Sequence, residues 1–411
     1  MKHLISTRLL PLASGYLAGL FAWVLLRTWA GDRWWWLFLL NSIGGYLFVP
    51  LVGVVPVALL ARRWQIWPPL VAALVIWGSL GGAELVVPFP TRLNDPSPSL
   101  TVLTVMTYNT LKSNRCAQQV VATIQAASPD VAFLQELSQE NAEAIWRELA
   151  DRYPYQVFDL HRRSGMGVIS RYPIRPVWAH LPGAWLGQPQ ALRLDLGSGS
   201  VTILNIHMVN LSGGQLPLPA AIEQATRERE QQAETLRAFA VTHPAPLIVA
   251  GDFNATQLNR SYAILASELH DAWREGEWGV GHTYPVVAFP WVGWRSPCEQ
   301  APVPLPCLFR IDHIFHSRHW QTLSARVGPP DGGSDHHPLV VRLWLKEQGA
   351  AQSPQPEPGP DTGTGGDRGT AFCPPERAET QLSAHRQPRA YATEGPLCGC
   401  PLGTPQTGGF W

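Results

Sequence analysis

Apolar positions dominate the N-terminal part of the chain. Three runs, residues 9–29, 34–60 and 67–89, carry few charged side chains, and each is long enough as a helix to cross a hydrocarbon core of roughly 30 Å. Tryptophans lie mostly at or near the ends of these runs, where indole rings prefer the headgroup level of a bilayer; they are Trp23, Trp29, Trp34, Trp35, Trp36, Trp64, Trp67 and Trp77. We predict a membrane anchor of three transmembrane helices in residues 1–89. Two spans, or a re-entrant glycine-rich second segment, are the alternatives.

A small asymmetry of positive charge predicts the orientation of this anchor. In a three-span arrangement the basic residues divide four to three between the two sides, Lys2, Arg8, Arg62 and Arg63 against Arg27, Arg33 and Arg92. Because Lys and Arg are enriched in cytoplasmic loops, the N-terminus is predicted to be cytoplasmic. An odd number of crossings then places the rest of the chain outside the cytoplasm. We therefore expect a multi-pass cell-membrane protein with an extracytoplasmic domain.

The hydrophobic pattern changes after a proline-rich stretch. Residues 88–99 contain four prolines, so they cannot form a regular helix, and residues 90–99 are predicted to be a linker. From residue 100 strand-like runs alternate with amphipathic helical stretches, which predicts one α/β domain over residues 100–346, with two packed sheets and helices outside them. Residues 347–411 are rich in Pro, Gly and polar residues and are predicted to be a disordered tail.

Charge adds a constraint on the binding partners. The 411 residues contain 31 Lys and Arg and 31 Asp and Glu. Residues 100–346 alone contain 20 basic and 21 acidic side chains. Nucleic-acid binding depends on Lys and Arg that neutralise backbone phosphates. A local basic groove stays compatible with a neutral domain, but the charge balance does not favour a nucleic acid as the partner.

Polar residues gather where the predicted strands end or begin. Because strand ends share one rim in a layered α/β protein, these side chains are expected to converge on one pocket; they are Asn109, Glu136, His207, Asp252, Asn254, Asp312, Asp335 and His336. Each taken alone has a structural explanation, such as a turn or a helix cap. The coincidence of all of them in a chain poor in charge favours a functional site.

The residue types of this group are suited to phosphoester chemistry. A carboxylate such as Glu136, with a second acid and water, is what Mg²⁺ prefers as ligands. A phosphoester needs charge neutralisation on its nonbridging oxygens and an activated water. Histidines and asparagines can donate to phosphate oxygens, and an aspartate can accept the proton of the water. Zinc is less favoured, because the cysteines are scattered and no helical pair of histidines with zinc-ligand spacing is present.

Six motifs in this order resemble the endonuclease/exonuclease/phosphatase superfamily, the DNase I-like fold. They are TYN (107–109), QE (135–136), NIH (205–207), GDFN (251–254), RIDHIF (310–315) and SDHHP (334–338), and GMGVISRYPI (165–174) is also similar to a strand of that family. The resemblance covers about residues 100–345. It implies a four-layer α/β sandwich and cleavage of phosphoesters that depends on a divalent metal, Mg²⁺ or Mn²⁺.

The resemblance also implies roles for individual residues. Glu136 would hold the metal, Asn109 would contact the metal's water or the phosphate, and Asp335 would lie near the metal. Asp252 would orient or deprotonate the attacking water, and Asn254 would hold the phosphate. His207 and His336 would donate to phosphate oxygens, with Asp312 pairing His336. His337 matches a variable family position and is interpreted as a bystander.

The substrate stays open between classes. A membrane anchor places the site near lipid headgroups, and relatives of the same fold cleave sphingomyelin or phosphoinositides, so a lipid or envelope phosphoester is favoured and the bilayer is an expected partner. The alternative is a membrane-anchored nuclease acting on DNA or RNA. A non-catalytic binding scaffold is the second alternative, although all the expected catalytic positions are filled. No protein partner is implied.

An aromatic and proline-rich insertion at residues 275–309 precedes the RIDHIF motif. Its aromatic side chains either pack over the domain or form an apolar lip toward a membrane or a hydrophobic substrate. Cys298 and Cys307 flank a proline-rich segment within it. In an oxidising compartment they are predicted to form a disulfide; two unpaired thiols are the alternative.

Overall fold

A computed structural model describes residues 8–61, 63–80, 101–160, 164–211, 216–277, 279–285, 307–328 and 332–346. Its N-terminal part is helical. The helices are α1 (Leu10–Ala30), α2 (Trp35–Ser42), α3 (Leu51–Ala61) and α4 (Trp67–Ser79), with single 3-10 turns at Gly44–Phe48 and Trp64–Ile66. Helices α1, α3 and α4 pack on one another through small and apolar side chains, among them Leu17, Ala58, Leu70 and Ala73.

Two segments of this part, Leu10–Ala30 and Gly44–Ala61, are long and apolar enough to cross a membrane. The helix expected from residue 34 is interrupted by the 3-10 turn at Gly44–Phe48, because adjacent glycines weaken an α-helix and Pro50 lacks a backbone N–H. Helix α4 has 13 residues, fewer than the roughly 20 that a span needs. The rest of the predicted third span lies outside the described residues.

Twelve described strands form two sheets. They are β1 (Val102–Asn109), β2 (Val131–Gln135), β3 (Tyr155–Asp159), β4 (Met166–Ser170), β5 (Ile174–Pro176), β6 (Gly187–Asp195), β7 (Ser200–His207), β8 (Leu247–Asp252), β9 (His270–Asp271), β10 (Asp312–His316), β11 (Trp320–Val327) and β12 (Leu339–Leu345). The first sheet has the order β11-β12-β1-β2-β4-β3 and the second β5-β6-β7-β8-β10-β9. The central strands β2 and β8 are buried along their whole length, which explains why they are continuous apolar runs rather than alternating ones.

Helices cover the outer faces of both sheets. They are α5 (Ala117–Ala127), α6 (Gln139–Leu149), α7 (Leu218–Thr242) and α8 (Arg260–Ala266). The short α9 (Ala272–Gly276) instead contributes Ala272 and Trp273 to the core between the sheets. Side chains of α5 and α6 pack on Met106 and Leu134 of the first sheet, and side chains of α7 and α8 pack on Leu204 and Val249 of the second. Between the sheets lies the central core, with Val105, Phe133 and Ile203. The predicted four-layer α/β sandwich of the DNase I-like type is confirmed.

A buried carboxylate joins the helical part to the sandwich. Asp32, in the turn after α1, is 2% exposed. Its oxygens accept hydrogen bonds from Asn41 Nδ2 at 2.7 Å, from Asn259 Nδ2 at 3.3 Å and from the backbone N of Arg260 at 2.6 Å. Asn259 in turn accepts from the backbone N of Thr256. The turn after α1 therefore holds the loop that leads from Asp252 to α8.

We expect Asp32→Ala to lower the unfolding free energy by about 3 kcal/mol, because three buried donors lose their acceptor. Thermal unfolding of the full chain in detergent would measure this effect. Arg33→Ala is the matched control, since Arg33 is the exposed neighbour in the same turn. Equal melting temperatures for the two variants would contradict the structural role of Asp32.

Four further sequence predictions concern the linker, the tail, the aromatic insertion and a disulfide. The linker at 90–99, the tail at 347–411 and most of the aromatic insertion lie outside the described residues. The predicted Cys298–Cys307 disulfide is wrong, because Cys307 is a free, buried thiol. Burial raises the pKa of this thiol to about 11. Cys307 is therefore neutral at physiological pH and packs as an apolar residue.

Candidate active site

Strand register brings the predicted residues to one edge of the sandwich. In the first sheet β1 and β2 are parallel, with Asn109 beside Gln135 and Glu136 next along the chain. In the second sheet β7 and β8 are parallel, with His207 beside Asp252. Strand β10 is antiparallel to β8, so its first residue, Asp312, pairs with the last residue of β8. We call Asn109, Glu136, His207, Asp252, Asp312 and His336 the candidate site.

A buried amide network holds the two sheets together beneath these residues. Gln135 Nε2 donates to Asn205 Oδ1 at 2.7 Å. Asn205 Nδ2 donates to the carbonyl oxygens of Leu134 and Gly167, which lie in the first sheet. Both side chains are fully buried. Because each buried polar group has partners, the network fixes the distance between the strand ends on which the site is built.

Glu136 lies on the more open side of the site, beside the buried Asn109. Asn109 Nδ2 lies 3.4 Å from Glu136 Oε1, and the backbone N of Lys112 lies 3.2 Å from Glu136 Oε2. The Glu136 side chain is 22% exposed, and its φ of 50° is in the left-handed region. A non-glycine residue in this region is a strained conformation of the kind found at functional sites. The long hydrogen bonds leave carboxylate lone pairs available to a ligand.

Asp252 lies at the centre of the candidate site. Its Oδ1 accepts from the backbone N of Asn254 at 2.9 Å, and its Oδ2 accepts from Asn109 Nδ2 at 3.0 Å. Oδ2 also lies 3.5 Å from His207 Nε2 and 3.8 Å from His336 Nε2. Burial raises the pKa of Asp252 to about 7, although the nearby His336 opposes the shift. A carboxylate with a pKa near neutrality is suited to proton transfer at physiological pH.

A close backbone approach explains the glycine before Asp252. A Cβ atom on Gly251 would lie 1.9 Å from the carbonyl oxygen of Ile206 on the neighbouring strand. Only glycine therefore permits β7 and β8 to stay in contact at this point. The approach keeps His207 and Asp252, one residue further along each strand, side by side.

His336 and Asp312 form a buried ion pair. His336 Nδ1 donates to Asp312 Oδ2 at 2.8 Å, and both residues are buried. Burial alone would lower the pKa of His336, but the charge and hydrogen bond of Asp312 outweigh it and raise the pKa to about 10. The imidazole is therefore a cation at neutral pH. Its ring contacts that of Tyr284, with centroids 4.7 Å apart.

His207 has the opposite protonation state. Burial lowers its pKa to about 4, with Glu136 opposing, so the imidazole is neutral at physiological pH. Its Nδ1 lies 2.9 Å from the hydroxyl of Ser164. Among the described residues its buried Nε2 has no hydrogen-bond partner. This nitrogen, 3.5 Å from Asp252, is available to a ligand in the site.

Asn254 and Asp335 lie beside these six residues. Asn254 also has a left-handed backbone, with φ 49°, and its Nδ2 donates to the carbonyl oxygen of Met208 at 3.1 Å. Asp335 precedes His336 and is half-buried. Burial raises the pKa of Asp335, His336 opposes that shift, and the charge of Glu136 adds to it. Two mutually repelling carboxylates at an open rim are an arrangement that a divalent cation stabilises.

Two parts of the site could take a cation. Ligand atoms of Asp252, Asp312 and His336 lie within 4.8 Å of one another. However, the imidazolium of His336 has no lone pair to offer while Asp312 keeps it protonated. Asp312 Oδ1 has no hydrogen-bond partner among the described residues. The carboxylate oxygens of Glu136 and Asp335 fit a hard cation better than the Asp312–His336 pair does. The amide oxygen of Asn109 accepts from the backbone N of Leu111 at 3.0 Å.

The structure adds residues that sequence reasoning did not identify. Ser164 orients His207, and Tyr284 lies against His336. Arg229, which is 1% exposed, lies near enough to Asp252 for that charge to act on its guanidinium. It donates to the carbonyl oxygen of Val209 and lies over the ring of Phe38 in α2, 4.7 Å from its centroid. The sequence offered one signal for Ser164, because this residue directly precedes the GMGVIS strand of the family resemblance. Tyr284 and Arg229 carried none.

Comparison with known proteins places this site in a family context. The model of the endonuclease/exonuclease/phosphatase family matches residues 106–336, more than half of the chain and the whole stretch from Asn109 to His336. A UPF0294 protein of Vibrio parahaemolyticus is 25% identical over 254 residues, which cover 60% of this chain and 79% of that protein.

Solved structures of the same kind also superpose on the chain. An endonuclease/exonuclease/phosphatase family protein from Bacteroides thetaiotaomicron is similar with a TM-score of 0.44 and 18% identity, covering 60% of this chain and 99% of that one. A mannosyl-6-phosphatase from the same organism is similar with a TM-score of 0.41 and 17% identity, covering 59% and 99%.

Proposed function

We propose, from the premise that the chain belongs to the endonuclease/exonuclease/phosphatase family, that it is a membrane-anchored phosphoester hydrolase that depends on a divalent metal. The family is compatible with phosphoester hydrolysis. The observation that carries the proposal is the environment of Asp252. Its carboxylate lies within 3.0–3.8 Å of Asn109, His207 and His336. A proton acceptor is thus surrounded by groups that can hold a phosphate.

Mg²⁺ or Mn²⁺ is the proposed cofactor, held by Glu136, Asn109 and Asp335. Carboxylate and amide oxygens are the ligands that these hard cations prefer. When bound, the cation neutralises charge on the nonbridging oxygens of the phosphate. The mutual repulsion of Glu136 and Asp335 supports this assignment.

The other residues of the site have separate roles in proton transfer, charge stabilisation and phosphate binding. Asp252 accepts a proton from the attacking water, for which a pKa of about 7 is suitable. His336, charged because of Asp312, attracts the phosphate and stabilises the negative charge that grows during attack. His207 contacts a phosphate oxygen through Nε2, with Ser164 fixing its ring. Asn254 assists in holding the phosphate.

A lipid or envelope phosphoester is the favoured substrate class. The neutral charge of residues 100–346 gives no support to tight binding of nucleic acid. Two apolar helices precede the sandwich and pack as one compact unit with it, so the site would lie close to a bilayer. The alternative, a membrane-anchored nuclease, keeps the same chemistry with another substrate. A non-catalytic scaffold has less support, because all of the catalytic positions are filled.

A panel of substrates tests this proposal. The full chain in detergent, with and without Mg²⁺ or Mn²⁺, would be given bis-p-nitrophenyl phosphate, plasmid DNA, RNA and phospholipid vesicles. We expect metal-dependent turnover of the first and of the phospholipid. DNA or RNA cleavage without phospholipid turnover would favour the nuclease instead. No turnover of any member of the panel would favour the scaffold.

The proposed location is the cell membrane, with several spans and the sandwich outside the cytoplasm. Arg27, near the end of α1, donates to the carbonyl oxygen of Leu258 at 3.1 Å, and Leu80, after α4, lines the same cavity as Leu258. Helices α1 and α4 therefore end on the same side of the helical part. This arrangement supports an odd number of crossings. Protease added to intact cells, after permeabilising an outer membrane if one is present, should digest the sandwich. A sandwich protected until the inner membrane is broken would contradict the orientation.

A further inference from the structure

A cavity of about 190 Å³ lies between the helical part and the sandwich. Tyr46, Val49 and Trp77 line it from the helical side, and Leu258, His282 and Leu308 line it from the sandwich. Apolar cavities of roughly 150 Å³ accept ligands the size of benzene. The space is therefore large enough for a segment of an alkyl chain.

Two polar side chains of this cavity are paired with backbone carbonyl oxygens. The hydroxyl of Tyr46 donates to the carbonyl oxygen of Leu308 at 2.8 Å. His282 Nδ1 lies 2.7 Å from the carbonyl oxygen of Cys307, and burial lowers the pKa of His282, so its ring is neutral at physiological pH. Arg310, which also lines the cavity, is ion-paired with Asp271 at 2.7 Å. Most of the wall is therefore aliphatic and aromatic. Such a wall favours an apolar ligand over a charged one.

The cavity opens on the same surface that the apolar helices expose. Four of its lining residues are large apolar or aromatic side chains with substantial exposure, namely Tyr46 at 41%, Val49 at 61%, Val280 at 39% and Leu308 at 46%. Neighbouring positions of α3 are also exposed and apolar, among them Val52. Exposed apolar surface that continues from a candidate membrane span into a cavity indicates a partner from the bilayer.

The cavity also adjoins the candidate site. Three chain segments reach both the cavity and the region of the candidate site. Thr256, His282 and Arg310 line the cavity. Asn254 lies two residues before Thr256, Tyr284 two residues after His282, and Asp312 two residues after Arg310. Two residues of extended chain span roughly 7 Å. Tyr284 contacts His336, and the hydroxyl of Thr283 accepts from the backbone N of Asp312. Along these three segments the cavity lining and the region of the candidate site are therefore two residues apart.

We propose that this cavity binds an acyl chain of a bilayer phospholipid and thereby presents the phosphodiester of its headgroup to the candidate site. The positioning of the headgroup phosphodiester rests on the proposed function, because it matters only if the site hydrolyses phosphoesters. Binding of the chain itself stands on the cavity alone. Trp77, near the end of α4, lines the cavity at the position where an interfacial indole is expected.

Filling the cavity from Gly45 tests the proposal. Gly45 lines the cavity, and a Cβ added there would meet nothing within 4 Å, so Gly45→Leu occupies the space without a clash at its Cβ. Gly53→Leu is the matched control, because Gly53 in α3 is equally open but does not line the cavity. Leu308→Trp narrows the cavity from the opposite wall as a second variant.

The full chain in phosphatidylglycerol vesicles, with a trace of phospholipid bearing a photoreactive group in its acyl chain, gives the direct readout. We expect labelling of peptides from residues 46–49 and 279–285 in the wild-type protein. Gly45→Leu and Leu308→Trp should lower this labelling at least about tenfold, since alkyl burial is lost, and Gly53→Leu should not. Equal labelling of all four proteins would overturn the acyl-chain site.

Hydrolysis separates this inference from the proposed function. Turnover of bis-p-nitrophenyl phosphate, which has no acyl chain, should be the same in wild type and both cavity variants, and it reports that they are folded. Turnover of the phospholipid should fall with the labelling. Unchanged phospholipid turnover in the cavity variants would contradict presentation through the cavity. A wild-type protein that labels but hydrolyses neither substrate would support the acyl-chain site and contradict the proposed function.

Discussion

His336→Ala should lower the rate of phosphoester hydrolysis by at least about 10²-fold, the scale expected when a positioned acid–base or charged group is lost. The substitution removes the cation beside Asp252 and leaves the buried carboxylate of Asp312 without its partner. Steady-state turnover of bis-p-nitrophenyl phosphate by the full chain would measure the loss.

The adjacent histidine provides the control for this prediction. His337 donates its backbone N to the carbonyl oxygen of Thr283, and its side chain is not part of the described cluster of Asp252, Asp312 and His336. His337→Ala should therefore stay within about twofold of the wild-type rate, as a change outside the catalytic group does. A dead His337 variant beside an active His336 variant would mean that the register of the SDHHP motif is wrong.

Asp252→Asn should also lower turnover by at least about 10²-fold, because the amide keeps the shape of the side chain but cannot accept the proton of the water. Stability should respond differently. The Asp252 carboxylate is buried, and burial disfavours its charged form, so a neutral amide removes an unfavourable charge. We expect the melting temperature of the variant, measured in EDTA, to equal or exceed that of the wild type.

The same pair of measurements can contradict the assignment. A variant that keeps wild-type turnover would show that Asp252 does not accept the proton. A variant that loses turnover together with a large fall in melting temperature would assign Asp252 to the stability of the strand ends rather than to the reaction. Asp195→Asn, at the far end of β6 on an exposed turn, is a control for the chemical change alone.

Much of the candidate site was predictable because its residues follow regular strands. Asn109, Glu136, His207 and Asp252 come at the ends of apolar runs, and parallel strands bring such ends to one edge. Asp312 begins a strand that runs the other way and His336 precedes another, so both reach the same edge. The fold followed from the same alternation of strands and helices, together with the motifs that resemble the family.

The parts that sequence could not predict depend on contacts between distant segments. Ser164 and Tyr284 reach the site from loops, whose course no hydrophobic period describes. Asp32 was only one charge in a short turn between apolar runs, yet two of its three buried contacts come from residues more than two hundred positions away. The 3-10 turn at Gly44–Phe48 was not predicted, because the residues around it are uniformly apolar and match a continuous helix. The expected disulfide failed because spacing alone does not set the separation of two cysteines.

Metal dependence tests the central claim most directly. The purified full chain would be treated with EDTA, and turnover of bis-p-nitrophenyl phosphate would then be followed as Mg²⁺ or Mn²⁺ is added back, with Glu136→Gln alongside. The account predicts no turnover in EDTA, recovery on addition of metal, and a Glu136→Gln variant that needs at least about tenfold more metal, because one ligand charge is lost. Turnover that is equal in EDTA and in Mg²⁺ or Mn²⁺, or a Glu136→Gln variant with unchanged metal dependence, would contradict it.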